Sequence, residues 1–187
     1  MTKLNDNLVL GLDFDGVLFD TRYEKLFSGF NTYLALNPKS QLFGGKELTF
    51  NNYNERINKY QSTVNDFNNM LDFIGIAGEN ACVFELIEEK IRLCQYSDFR
   101  IFINEINRDK YNDYHQMILN LRDNYSHHTK DQYIKLVQPF EDVINTIRNI
   151  GSKMEVVICT MKPRENVVFI NNVFNLAEIF SDIITVS

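Results

Sequence analysis

The sequence predicts an α/β protein in which a Rossmann-like parallel sheet is interrupted by an inserted all-helical domain. Three short runs, at residues 8–14, 154–159 and 183–186, are apolar on both faces, which is typical of strands buried in a parallel sheet. Helical patterns precede and separate the two later runs, giving the alternating order of a doubly wound unit. Residues 22–137 carry helical patterns and no strong strand signal.

The elements follow from local patterns. The first strand is the unbroken apolar run LVLGLDF, and it is followed by helical patterns at residues 23–36, 48–60, 62–74, 79–94, 99–107 and 111–125. Residues 138–150 have apolar side chains at helical spacing, with Pro139 at the entry and Gly151 at the exit. A strand is predicted at 154–159, a helix at 163–174 and a last strand at 183–186. We therefore predict a core of residues 1–21 and 138–187, with residues 22–137 inserted.

The overall composition and charge argue against nucleic-acid and membrane partners. The 187 residues are 44% hydrophobic and 24% charged, with a net charge of −6, as in an ordinary globular domain with an insertion. The negative charge argues against a nucleic-acid partner. The apolar stretch before Asp13 is too short for a signal peptide or a membrane span, so we expect no membrane partner.

The number and spacing of the cysteines indicate the redox state of the cellular compartment. Cys82, Cys94 and Cys159 are odd in number and scattered, which does not resemble a disulfide framework. We therefore predict a reducing, cytoplasmic setting. Cys159 lies within an apolar run and is predicted to be a small buried hydrophobic residue.

Two carboxylates mark the end of the first strand. Asp13 and Asp15 are followed at once by Gly16. Side chains two residues apart on a strand point to the same side, so both acids are predicted to face one ligand, and Gly16 permits a sharp turn and close approach. One carboxylate can accept a phosphoryl group while the other exchanges protons with leaving group and water. The alternative is that these acids only occupy a turn or cap a helix.

The second apolar run ends in a hydroxyl, Thr160, and Lys162 follows two residues later. A hydroxyl and neighbouring N–H groups at the carboxyl edge of a sheet can bind phosphoryl oxygens, and a lysine adds positive charge. A hard cation such as Mg²⁺ would offset the repulsion between two carboxylates and a phosphate. The alternatives are a helix N-cap for Thr160 and a solvated surface charge for Lys162.

These motifs resemble the haloacid dehalogenase-like (HAD) superfamily. Its first motif, an apolar strand ending in Asp-x-Asp-Gly, matches Asp13 to Gly16, and its second, an apolar strand ending in threonine or serine, ends here at Thr160. The resemblance implies that Asp13 is the nucleophile and Asp15 the general acid and base. It also implies that Asp13 and the main-chain carbonyl of Asp15 bind Mg²⁺. Residues 22–137 lie where this superfamily places a C1-type helical cap.

The third-motif lysine and fourth-motif acid of the superfamily have no counterpart in the expected context. After Thr160 the only lysine is Lys162, and the only acids are Glu165, Glu178 and Asp182. The resemblance therefore implies an incomplete core, in which residues 8–14 form an edge strand with unpaired backbone groups. We expect a second copy of this chain, a second polypeptide or a local rearrangement to cover that edge.

The predicted function is Mg²⁺-dependent hydrolysis of a small phosphomonoester through an aspartyl-phosphate, with phosphate bound by Thr160, Gly16 and Lys162. A phosphomutase has the same first motif and stays open, whereas the second acid, Asp15, argues against dehalogenation. The alternative from another class is a truncated, catalytically weak HAD-like protein that binds a phosphorylated ligand or a protein. A third expectation is a fragment of a longer enzyme.

Overall fold

A computed structural model describes residues 8–150 and 154–185. They form two compact units. The core unit contains the described residues of Met1–Thr21 and Lys130–Ser187, and the helical unit is Arg22–Thr129. Residues 130–137, which the sequence pattern places in the insertion, group with the core unit.

Strands belong to the core unit, and most helices belong to the helical unit. The strands are β1 (Val9–Leu12), β2 (Phe19–Asp20), β3 (Gln138–Pro139), β4 (Glu155–Thr160) and β5 (Asp182–Thr185). The helices are α1 (Arg22–Leu36), α2 (Tyr53–Lys59), α3 (Gln61–Asn68), α4 (Glu79–Glu88), α5 (Tyr96–Glu105), α6 (Arg108–His128), α7 (Lys130–Tyr133), α8 (Glu141–Ile150) and α9 (Arg164–Val173). Single 3₁₀ turns lie at Leu42–Gly44, Leu71–Phe73 and Ile134–Leu136.

The core unit is built on a parallel three-stranded sheet in the order β1-β4-β5. The register pairs Leu12 with Ile158 and Thr160 with Thr185. Because all three strands run in the same direction, their carboxyl ends lie at one edge of the sheet, where open α/β sheets bind ligands. The predicted fold class, a parallel α/β sheet with an inserted helical unit, is confirmed. Among the described residues β1 is an edge strand, as predicted.

The two faces of the sheet differ in burial. On one face, Val156 and Ile158 of β4 belong to the buried core cluster, together with residues of α8 and α9: Ile144, Ile147, Val167 and Ile170. On the other face, Val9, Cys159 and Ile184 are exposed. The prediction that Cys159 is buried is therefore wrong, because α8 and α9 pack on the opposite face from its side chain.

The core unit also contains a short antiparallel pair of strands, β2 and β3, which precede and follow the helical unit in the sequence. Phe19 pairs with Pro139 and Asp20 with Gln138, and the N–H of Phe140 donates to the carbonyl of Leu18 at 3.0 Å. The predicted helix over residues 138–150 therefore begins only at α8, because its first residues pair as a strand.

The helical unit is held by close packing of α1 on α4. A Cβ added at Gly29 would lie 2.8 Å from the carbonyl oxygen of Asn80, so glycine lets the two helices approach. Asn107 caps α6, since its side chain accepts hydrogen bonds from the N–H groups of Asp109 and Lys110. Several predicted helices differ in length: α2, α3 and α4 are shorter than their patterns, and α6 is longer.

Ionisable groups inside the helical unit pair with one another. The buried Arg122 donates to both carboxylate oxygens of the buried Glu24, through Nε at 2.5 Å and a terminal nitrogen at 3.1 Å. The hydroxyl of Tyr114 donates to Glu85 Oε1 at 2.6 Å. No helix in the described part of the chain is long and apolar enough to cross a lipid bilayer.

Candidate active site

Asp13 and Asp15 lie in the turn that follows β1. The strand has already ended, so the predicted reason for their common orientation, strand alternation, is wrong. The N–H of Phe19 donates to the carbonyl of Phe14 at 3.0 Å, and the N–H of Gly16 donates to the carbonyl of Phe19 at 2.8 Å. These hydrogen bonds fix the turn that carries the two carboxylates.

Asp13 is exposed and anchored at one oxygen. Its Oδ1 accepts a hydrogen bond from the N–H of Phe14 at 2.7 Å, and the Phe14 side chain is fully buried. The hydrogen bond holds the carboxylate beside a buried residue of the core while Asp13 stays open to solvent. This arrangement suits a group that must reach a substrate.

Asp15 is paired with Lys162. The Nζ of Lys162 lies 3.4 Å from Asp15 Oδ1, and their side chains are 1% and 22% exposed. The same ammonium lies 5.8 Å from the centre of the Phe14 ring, within the range of a cation–π interaction. The alternative that Lys162 is a solvated surface charge is therefore wrong.

Thr160 ends β4 and is buried. Its hydroxyl oxygen accepts a hydrogen bond from the N–H of Lys162 at 3.2 Å. A hydroxyl can accept and donate at the same time, so this contact leaves the O–H of Thr160 to donate elsewhere. The N-cap of α9 is Pro163, so the alternative that Thr160 caps this helix is wrong.

Gly16 makes the turn possible. Its φ of +79° lies in the region that L side chains rarely adopt, and a Cβ placed there would meet nothing within 4 Å. Because its N–H already donates to Phe19, any contribution of Gly16 to phosphate binding would come from the space it leaves.

The structure brings most of the predicted site residues to one place. Asp15 contacts Lys162, and Lys162 contacts Thr160. Asp13 comes to the same sheet edge because β1 and β4 are neighbouring parallel strands. Sequence reasoning missed the pairing of Asp15 with Lys162, although the position of the lysine two residues after the β4 threonine was a usable signal.

The oxygen atoms at this edge of the sheet could supply some, but not all, of the ligands of a hard cation. Asp13 offers an exposed carboxylate, and Mg²⁺ takes oxygen ligands, often one or two carboxylates with water and substrate phosphate completing the shell. Within residues 8–150 and 154–185, no group of three or more histidine, cysteine, aspartate or glutamate residues is placed to hold a metal ion. Mg²⁺ at this site would therefore depend on water and substrate for its remaining ligands.

The fold of this chain is similar to that of a solved haloacid dehalogenase-like protein. A haloacid dehalogenase-like family hydrolase from Streptococcus pneumoniae superposes with a TM-score of 0.54 and 14% sequence identity. The alignment covers 98% of this chain and 63% of that protein. At this identity the likeness establishes the fold, and this chain spans less than two thirds of the pneumococcal protein.

A second solved structure with the same family name matches less well. It is a HAD-superfamily hydrolase of subfamily IA, variant 1, from Geobacter sulfurreducens, with a TM-score of 0.43 and 13% identity over 96% of this chain and 63% of the other. No protein-family model matches the sequence, and no curated protein matches it.

Proposed function

We propose that this chain is a HAD-like hydrolase that cleaves small phosphomonoesters with Mg²⁺ through an aspartyl-phosphate at Asp13. The observation that carries the proposal is the exposed carboxylate of Asp13, held by the N–H of Phe14 at the carboxyl edge of a parallel sheet. Asp15 and Thr160 at the same edge provide the proton exchange and the hydroxyl donor that such a reaction requires.

In the first step, Oδ2 of Asp13 attacks the phosphorus atom, because Oδ1 is engaged with the N–H of Phe14. A bond forms between this oxygen and phosphorus, and the bond from phosphorus to the leaving alcohol breaks. Asp15, which is protonated at the start of this step, gives its proton to the departing alkoxide. The O–H of Thr160 donates to a phosphoryl oxygen as negative charge increases on it.

In the second step, a water oxygen attacks the phosphorus of the aspartyl-phosphate while Asp15 takes the water proton. The bond between phosphorus and Asp13 breaks, so inorganic phosphate leaves and both carboxyl groups return to their starting states. When bound by Asp13 and the Asp15 carbonyl, Mg²⁺ supplies positive charge that offsets the repulsion between carboxylates and phosphate.

We also propose that the reaction takes place in a reducing compartment. Cys82, Cys94 and Cys159 are all free, which supports a reducing compartment such as the cytoplasm. The role of the helical unit as a cap remains a prediction.

Hydrolysis of p-nitrophenyl phosphate with Mg²⁺ tests the proposal. The wild-type chain is expected to release p-nitrophenol, and Asp13→Asn is expected to abolish turnover because an amide is a far poorer nucleophile. Asp142→Asn is the matched control, since it makes the same change at an exposed aspartate in α8. Chelation of Mg²⁺ is expected to lower the wild-type rate.

The same measurements separate the proposal from the alternative, a phospho-ligand or protein-binding module. Folded wild-type protein that turns over no phosphomonoester would contradict the proposal. If that protein still binds inorganic phosphate in calorimetry, the binding module is favoured. Equal rates for wild type and Asp13→Asn would also contradict the assigned nucleophile.

A further inference from the structure

Lys162 is a buried lysine at the mouth of the proposed site. Its residue is 4% exposed, although lysine is almost never buried unless it is paired. Burying an ammonium is costly without a compensating charge. The burial of Lys162 therefore requires a nearby group that stabilises its charge.

The charge of Lys162 is directed toward Asp15. Nζ lies 3.4 Å from Asp15 Oδ1, and the face of the Phe14 ring lies 5.8 Å away. The start of the lysine backbone is fixed as well, because its N–H donates to the hydroxyl of Thr160. Both ends of the residue are thus held, and the ammonium has little access to solvent from which a substrate would arrive.

We propose that Lys162 is a positioning residue that acts through Asp15, and not a group that binds the substrate phosphate. Through this ion pair, the ammonium orients the Asp15 carboxylate for proton exchange. This inference rests on the proposed function. It replaces the sequence-based expectation that Lys162 contacts phosphate directly.

The two roles predict opposite kinetic patterns. A phosphate-binding lysine contributes to substrate affinity, so its loss raises KM and weakens inhibition by inorganic phosphate. A positioning lysine contributes to the geometry of proton exchange, so its loss lowers kcat while KM stays near the wild-type value. A misplacement of about 1 Å can lower a rate on the order of 100-fold.

The experiment measures kcat, KM and inhibition by inorganic phosphate for wild type, Lys162→Met, Asp15→Asn and the double variant, using p-nitrophenyl phosphate and Mg²⁺. We expect Lys162→Met to lower kcat by a factor of about 10 to 100 with KM and phosphate inhibition unchanged within about twofold. In the Asp15→Asn background, Lys162→Met is expected to have no further effect on kcat, because the residue through which it acts is already altered.

Lys130→Met is the matched control. Lys130 is exposed in the same unit, and its Nζ lies 5.7 Å from the Phe169 ring, so this variant also removes a lysine beside an aromatic ring. Its kinetics are expected to equal those of the wild type. If Lys162→Met does not fold, Lys162→Gln is used, because it keeps a polar group at the buried position.

Thermal unfolding of the same four proteins provides a readout that does not depend on activity. Because the two side chains interact, the effects of the two substitutions on the unfolding midpoint are expected to be non-additive. An inactive wild type would overturn the proposed function and with it the positioning role, whereas an active wild type with additive unfolding midpoints would overturn the positioning role alone. A raised KM with unchanged kcat would also overturn the positioning role.

Discussion

The buried ion pair between Glu24 and Arg122 is expected to contribute strongly to the stability of the helical unit. The carboxylate side chain is 0% exposed and the guanidinium side chain is 6% exposed. Two parallel hydrogen bonds, at 2.5 and 3.1 Å, join them, and the Ser28 hydroxyl also donates to Glu24 Oε1 at 3.2 Å. Removing one side chain would leave the other charge buried without this ion pair, so the loss of stability depends mainly on the lost pairing.

Arg122→Met is therefore expected to lower the free energy of unfolding by about 3–5 kcal/mol, the usual cost of breaking a buried pair. In a chain of this size that corresponds to a drop of roughly 6–20 °C in the unfolding midpoint. Replacing both partners, with Glu24→Leu and Arg122→Met, is expected to cost clearly less than the single change, because neither charge of this buried pair then remains.

Urea unfolding followed by circular dichroism measures both variants. Arg108→Met is the matched control, since it removes an exposed arginine from the same helix, α6, and is expected to change stability by about 0.5 kcal/mol or less. If Arg122→Met is no more destabilising than this control, or if the double variant is as unstable as the sum of the singles, the reasoning from burial is wrong.

Two further predictions concern pH and self-association. Burial, together with hydrogen bonds to glutamates, raises the pKa values of Tyr33 and Tyr114. The unfolded chain therefore loses these tyrosine protons first, at a pKa of about 10. The contribution of the two tyrosines to the free energy of unfolding is complete below that pH and falls as the pH rises above it. Urea midpoints measured from about pH 8 to about pH 11 test this, and a flat profile would count against it. The expectation that a second copy covers β1 predicts a dimer in sedimentation and its loss in Val9→Lys; a wild-type monomer at every concentration would contradict it.

The sequence predicted the sheet because buried strands need apolar side chains on both faces, and the three apolar runs are the strands β1, β4 and β5. Their ends were less predictable, since a strand ends where hydrogen-bonded pairing ends and not where apolar residues end. The first run continues to Phe14, yet β1 ends at Leu12 because Phe14 belongs to the turn. Strands β2 and β3, of two residues each, are too short to give a periodic pattern.

The contacts of charged residues were the least predictable part. Glu24 and Arg122 are 98 residues apart in sequence, and nothing in the local pattern of either helix indicates that they meet. Lys162 lies in a polar loop, where a lysine is usually solvated, and only the turn after β1 places an acid beside it. Residue types at the ends of strands therefore predict a site, whereas the pairing of charges within it needs the tertiary structure.

The pairing of Asp15 with Lys162 also affects how the proposed reaction would depend on metal. While Asp15 is ionised, its charge is balanced by Lys162 and Asp13 carries a negative charge, and a phosphomonoester adds up to two more. At about 4 Å, a pair of unit charges near a protein surface interacts by about 4 kcal/mol, so this repulsion would oppose substrate binding. Lys162 offsets the charge of Asp15 and is enclosed, so it is poorly placed to offset the charges of Asp13 and the phosphate. A divalent cation at Asp13 would supply the missing positive charge, which is why the enclosed lysine and Mg²⁺ would have complementary roles in one site.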